Sequence, residues 1–344
     1  MCLLTKLPTR GRIYSRNSPT SVSTRQTNRA AQDLEKFRPY RCVDIVRASK
    51  IVGNELESNF ILYCLHPKGE PIMALKSIHV LIVEDDPYAR DMMAMLLARD
   101  WRTRVVGELH AKQQVQEFFS HLEHRVDVVL MDTEFPGHEL LPLQIAEMID
   151  RLENSPVTVY MGTHVDAEKI AKLLPHHFAG FLLKDEILYA LAAAVSLAAA
   201  GNIVLSPGAA DATAGLDLQG KTQVLAGRSL EAEFPQRMSE ILRLGLLFNL
   251  SQRDIADELV LSQNWVAEAI SGAYQRLGMQ EILTGEVGLE DYFQDKIVLE
   301  RGKAILQRPA SSKKSHRLRK APWMATLAFH MLTRPKEEPF SSNP

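Results

Sequence analysis

Three carboxylates stand in a row in "HVLIVEDDPYARDMM": Glu84, Asp85 and Asp86 directly follow a strand-like apolar run that starts at His79. Like charges side by side repel, and the end of a buried strand is a costly place to put them. Two more charged groups close similar runs, Asp132 in "VVLMD" and Lys184 in "FLLK". In an open parallel sheet, ligands bind outside the carboxyl ends of the strands, so a fold of that kind would gather these residues at one rim. Carboxylates crowded together become favourable around a hard divalent cation, and Mg²⁺ takes oxygen ligands of this type. A lysine beside them offsets residual charge and can hold a phosphoryl oxygen. Taken alone, the first cluster could equally be a solvated acidic turn. The recurrence of acid, acid and lysine on three strand ends favours the cation.

The elements that must position these groups are legible as periodicity. From Ile78 to about Gly201, short β-branched runs ("HVLIVED", "RVVGEL", "VDVVLMD", "VTVYMGT", "AGFLLKD") alternate with helical periods. Ala89, Met92, Met93 and Leu96 share one helical face, as do Val115, Phe118, Phe119 and Leu122. Ile145, Met148, Ile149 and Leu152 form another, and Ile170, Leu173 and Leu174 a fourth. Five strand–helix units imply an α/β doubly wound, five-stranded parallel sheet covered on both faces.

These pieces together resemble the receiver domain of bacterial two-component response regulators, over about residues 77–208. "LIVEDDP" matches the acidic pair, "VVLMDTEFPG" the phosphoacceptor and its Pro-Gly turn, and "GFLLKD" the lysine; "AAAGNIVLSP" resembles the exit from a LuxR/FixJ-type receiver. The resemblance implies a flavodoxin-like fold and a sensor histidine kinase that phosphorylates Asp132. It implies Mg²⁺ held by Glu84, Asp85, Asp132 and the carbonyl of Glu134, with Lys184 on the acyl phosphate and Asp86 a flanking residue. One departure matters: the family's switch Ser or Thr falls on Gly162. Thr163 is adjacent and would substitute if the strand end shifted by one. Phe181 occupies the rotating aromatic position, where a plain core residue fits as well.

A small-residue linker over 206–233 leads to a purely helical stretch. "LSQRDIADELVLSQNWVAEAISGAYQRLG" is read as two helices joined by a tight turn, with capping-box spacing at Ser251 and Asp254 and a second cap at Ser262. It resembles the LuxR-type helix-turn-helix, a four-helix all-α domain placed at 234–282, which implies DNA as partner and Ser262–Gly278 as the recognition helix. Gln263, Asn264, Gln275 and Arg276 are its candidate DNA contacts. The departures are Trp265, Ala267 and Ala269 at positions where the family has Thr, Lys and His, one extra residue in "GLLFNLS", and four arginines against five acids over 234–279, a net charge of −1. A DNA reader ordinarily carries a basic face. Residues 283–344 are read as an acidic then basic, mostly disordered tail, with ten Lys or Arg and no acid over 301–336. Either that tail supplies the electrostatic grip, or the helical domain has lost DNA and contacts protein.

The rest of the composition bounds little. The 344 residues carry a net charge of −2, which favours no partner class. Cys2, Cys42 and Cys64 form no ligand spacing or disulfide framework, so a cytoplasmic setting is expected. The uncharged stretch Ile187 to Ala210 is alanine-rich and interrupted by Gly201, Asn202 and Pro207, so a core helix and loop, with no membrane span, is expected. That alanine-rich helix also offers a close-packing surface for a homodimer. Residues 1–72 read as a basic disordered extension, with "MALKSIHVLIVEDD" from Met73 a natural start. A haloacid-dehalogenase-type phosphatase would need Asp-x-Asp where "EDD" puts Glu84 first, so no catalysis beyond self-phosphotransfer and self-dephosphorylation is expected.

Overall fold

The computed structural model describes residues 77–120, 125–307 and 322–336; the expected basic extension 1–72 lies outside them. The first strands and helices alternate as the periodicity requires: β1 (Ile78–Val83), α1 (Pro87–Arg99), β2 (Thr103–Leu109), α2 (Lys112–Ser120), β3 (Val128–Asp132), α3 (Leu141–Ile149), β4 (Val157–Gly162), α4 (Ala167–Leu173) and β5 (Phe178–Leu183). A single helical turn, α5 (Lys184–Ile187), precedes α6 (Leu191–Ala199). The strands are parallel, and their order begins β2-β1-β3-β4-β5. The period of two divides the strand residues between two cores. Val80, Ile82, Val128, Leu130, Val159 and Leu182 pack with α1 and α6. Leu81, Val83, Val129, Met131, Tyr160 and Phe181 pack with α2, α3 and α4.

The sheet has seven strands, not the five expected from sequence. β6 (Ile203–Leu205) pairs with β5, and β7 (Thr222–Val224), within the expected linker, pairs with β6. A third short helix, α7 (Pro207–Ala212), joins them. Strands of three residues give no period to read. β6 docks closely because Gly180 has no side chain: a Cβ there would lie 2.0 Å from the Val204 carbonyl oxygen. The alanine-rich helix α6 is consumed internally. Leu191, Ala192, Ala193, Ala194, Val195 and Ala198 are buried, so they offer no dimer surface.

The C-terminal region is helical. α8 (Leu230–Glu233) leads into α9 (Gln236–Leu242), α10 (Gln252–Glu258), α11 (Gln263–Arg276) and α12 (Met279–Thr284). Ile241, Ile255, Ala256, Val266, Ala269 and Ile270 form the core between α9, α10 and α11. Ser251 and Ser262 cap α10 and α11 by accepting the amides of Asp254 and Trp265. The extra residue in "GLLFNLS" is absorbed by a wide π turn at Arg243–Leu247, the local form that accommodates an inserted residue in a helix.

The stretch expected to be a disordered tail is largely folded among its described residues. After α13 (Lys296–Leu306), α14 (Pro322–Leu332) buries Met324, Leu327, Ala328, Phe329, Met331 and Leu332. They complete a core with Leu96 of α1, Leu242, Leu246, Leu247, Leu277 and Phe293. Arg99 reaches the Leu247 carbonyl and lies 4.7 Å from the Phe329 ring centre. The end of α14 is held by Lys336 N to Ala226 O at 2.8 Å and Arg228 to Met331 O at 3.2 Å. The basic count over 301–336 concealed "WMATLAFHML", whose apolar content is the signal for this helix. Phe329→Ala should cost about 3–5 kcal/mol, read as a lowered thermal or denaturant midpoint; an unchanged midpoint would restore the disordered-tail reading.

Candidate functional site

The strand order reverses direction at β1 and β3, which lie side by side with Val83 paired to Met131. That is the switch point where an open α/β sheet leaves a crevice. Glu84 and Asp85 leave β1 there, and Asp132 ends β3 beside them. One carboxylate oxygen from each of the three lies within 4.8 Å of the others. Lys184 follows β5 and crosses the end of β4 to meet them, with Nζ 2.8 Å from Glu84 Oε2 and 3.2 Å from Asp132 Oδ2.

The three acids differ in setting. Glu84 is fully buried and also accepts the Asp86 amide at 3.1 Å. Asp85 is exposed. Asp132 is buried and accepts the Thr133 amide at 2.8 Å. Asp86 stands outside the group as the N-cap of α1, accepting the amides of Tyr88 and Ala89. So the acidic triplet splits into two members of the cluster and one cap.

Charge balance follows from burial. Burial first, then the hydrogen bond to and charge of Glu84, push Asp132 up to about 7 against the pull of Lys184. Burial alone would lower the Lys184 pKa; the hydrogen bond from Lys184 to Glu84 and the charge of Asp132 outweigh it and hold the ammonium above its usual value. One lysine therefore does not neutralise the crowded carboxylates. Their oxygen donors and their excess negative charge both fit a hard divalent cation.

The remaining residues named from sequence lie around this rim. Gly162 ends β4 and is buried, with no hydroxyl to offer. Thr163, the next residue, is engaged elsewhere: its hydroxyl donates to Glu134 at 2.7 Å and its amide bonds the same carboxylate at 2.8 Å. The His164 amide adds a third bond at 3.2 Å. Burial would raise Glu134, but the bonds from Thr163 and His164 hold it below the usual carboxylate range. Phe181 is 2% exposed and faces the core, as a plain core residue would. Thr133 was missed by sequence reasoning; a polar residue directly after the strand-ending Asp132 was the available signal. On α11, Gln263, Asn264, Gln275 and Arg276 are all exposed. Arg276 is nevertheless tied inward, donating to Glu233 O at 3.1 Å with its guanidinium 5.9 Å from the Phe234 ring centre.

Residues 80–196 match the family model described as the response regulator receiver domain, and the fold and rim of that segment are consistent with it. The chain also resembles proteins described as transcriptional regulatory proteins. It is 24% identical over 210 residues to the transcriptional regulatory protein LnrK of Bacillus subtilis, covering 59% of this chain and 92% of LnrK. It is 25% identical over 206 residues to the probable transcriptional regulatory protein NarL of Mycobacterium tuberculosis, covering 60% of this chain and 90% of NarL. Among solved structures, the receiver domain of the putative response regulator NarL from M. tuberculosis is 26% identical, covering 37% of this chain and 99% of that one, with a TM-score of 0.33. No helix among the described residues is long and apolar enough to cross a membrane.

The charge balance gives a pH test. Between 3.8 and about 7 the folded state holds a proton on Asp132 that the unfolded chain releases, so metal-free stability falls as pH rises through that window. Asp132→Asn removes this cost. In EDTA it should be more stable than wild type at pH 8, with the gap closing toward pH 4. Denaturant melts across that range check it; a gap independent of pH contradicts the crowding.

Proposed function

We propose that the chain is a phosphorylation-switched response regulator whose phosphoacceptor is Asp132 and whose output is transcription control through the α10–α11 helix pair. The observation that carries this reading is the convergence of Glu84, Asp85, Asp132 and Lys184 at the switch point. Glu84, Asp85, Asp132 and the Glu134 carbonyl would hold Mg²⁺, which when bound supplies positive charge against the phosphoryl oxygens. An Asp132 carboxylate oxygen forms the new bond to phosphorus as the bond to the donor, a kinase phosphohistidine, breaks. Lys184 pairs with Glu84 and Asp132 and meets the incoming charge. The added charge then shifts a two-state surface. Chemistry would be limited to self-phosphotransfer and later hydrolysis, in a cytoplasm shared with the kinase. A homodimer remains part of the reading, through a surface other than α6.

For DNA, Gln263 and Asn264 in the first turn of α11 are the free polar contacts, with Gln275 further along. Residues 308–321, which hold Arg308, Lys313, Lys314, Arg317, Arg319 and Lys320, would supply phosphate contacts. A second reading has support of its own: the net charge of −1 across 234–279 and the inward tie of Arg276 favour a helix pair that contacts protein, leaving the receiver a phosphate sink or protein-interaction regulator.

With acetyl phosphate and Mg²⁺, intact mass should rise by one phosphate in wild type and not in Asp132→Asn; equal gain in both overturns the assignment. In mobility shifts on genomic fragments, replacing Lys313, Lys314, Arg317, Arg319 and Lys320 by Ser should weaken binding and flatten its salt dependence by roughly 0.9 per lost phosphate contact. No shift at any salt concentration favours the second reading.

A further inference from the structure

We propose that Thr133 supplies the hydroxyl that bonds the phosphoryl group on Asp132, replacing the one absent at Gly162; this rests on phosphoryl acceptance by Asp132. The first ground is shared space. A Cβ built on Gly162 would lie 2.7 Å from Thr133 Oγ1, and next nearest, at 3.3 Å each, are the His164 carbonyl oxygen and Phe181 Cζ. The Thr133 hydroxyl therefore fills the volume a side chain from the end of β4 would enter. A hydroxyl at residue 162 and one at residue 133 exclude each other, and this chain carries the second.

The second ground is availability. A threonine hydroxyl has one hydrogen to donate. In Thr133 it goes to Met161 O at 2.9 Å, a neutral carbonyl that also accepts the Thr133 amide at 2.8 Å. Turning the hydroxyl to a phosphoryl oxygen exchanges a neutral acceptor for a charged one and leaves Met161 O still bonded. Thr163 has no such gain. Its hydroxyl already faces a carboxylate, with Glu134 Oε1 at 2.7 Å and Oε2 at 2.9 Å.

The third ground is placement. Thr133 directly follows Asp132 and its amide donates to Asp132 Oδ1 at 2.8 Å. When its side chain turns toward Asp132, the space beside Gly162 opens next to the Phe181 ring. Phosphorylation is thereby coupled to the core through Thr133 and Phe181, with the Thr163–Glu134 contact left in place.

The test is equilibrium binding of beryllofluoride, an unreactive phosphoryl analogue, with Mg²⁺, by calorimetry. Thr133→Val should bind at least about tenfold more weakly than wild type, the loss of one charge-assisted hydrogen bond. Thr133→Ser should restore binding to within about twofold, and Thr163→Val should stay near wild type. Undiminished binding by Thr133→Val, or the loss appearing in Thr163→Val, overturns the proposal. Shared space is tested without metal or phosphate by a thermal-melt cycle. Gly162→Thr should lower the midpoint in wild type and lower it less in a Thr133→Gly background; equal penalties overturn the exclusion. Should wild type take no phosphate mass from acetyl phosphate, the reading of Asp132 fails and this one with it. If it takes phosphate and Thr133→Val binds as wild type, Thr133 alone is wrong.

Discussion

One lysine faces two buried carboxylates. Lys184 reaches Glu84 and Asp132 from the far side of β4, and the whole rim is organised around that unequal meeting. Burial of charge is costly unless paired, and here pairing is incomplete. Asp132 shifts toward neutrality, pushed up to about 7, while Glu84 stays locked between Lys184 and the Asp86 amide. Such an arrangement would be a defect in a structural core. At a switch point it leaves a site whose unmet requirement is positive charge, and the Asp132 carboxylate is held where that requirement is greatest.

The scaffold is committed to keeping these groups close. β1 and β3 are adjacent because the sheet order reverses there, and both cores press on them from opposite faces. Two short strands extend the sheet, and α14 returns from the C-terminal region to share a core with Leu96 of α1. His330 is carried in with it. Its ring lies 4.1 Å from that of Trp101, with Nδ1 3.5 Å from Asp100. Burial pushes its pKa down to about 4, so it packs as a neutral ring. Helix α14 thus ties the sheet domain to the helical region through apolar contact.

The first five strands and the rim were readable from sequence because short β-branched runs alternate with helical periods, and three of those runs close in a charged residue, at Glu84, Asp132 and Lys184. The roles of neighbouring side chains were not. That Asp86 flanks the site is legible, but not that it caps α1, and Thr163 looks free until Glu134 is placed beside it. β6 and β7 are too short for periodicity. α14 was hidden because its apolar run is flanked by lysines and arginines, and averaging over 301–336 measures the flanks. The extra residue in "GLLFNLS" was visible, but its form, a π turn, depends on packing. Thr133 shows the limit most directly: the role proposed for it comes from the missing side chain at Gly162, twenty-nine positions away by number and adjacent in space.

The central claim is that Glu84, Asp85 and Asp132 are crowded in order to hold a divalent cation. A crystal structure with Mn²⁺, collected at its absorption edge, tests this most directly. The account predicts one anomalous peak bonded to oxygens of all three carboxylates at about 2.2 Å, with Lys184 drawn away from Asp132. A rim with no peak at saturating metal, and Lys184 still bridging Glu84 and Asp132, would contradict it.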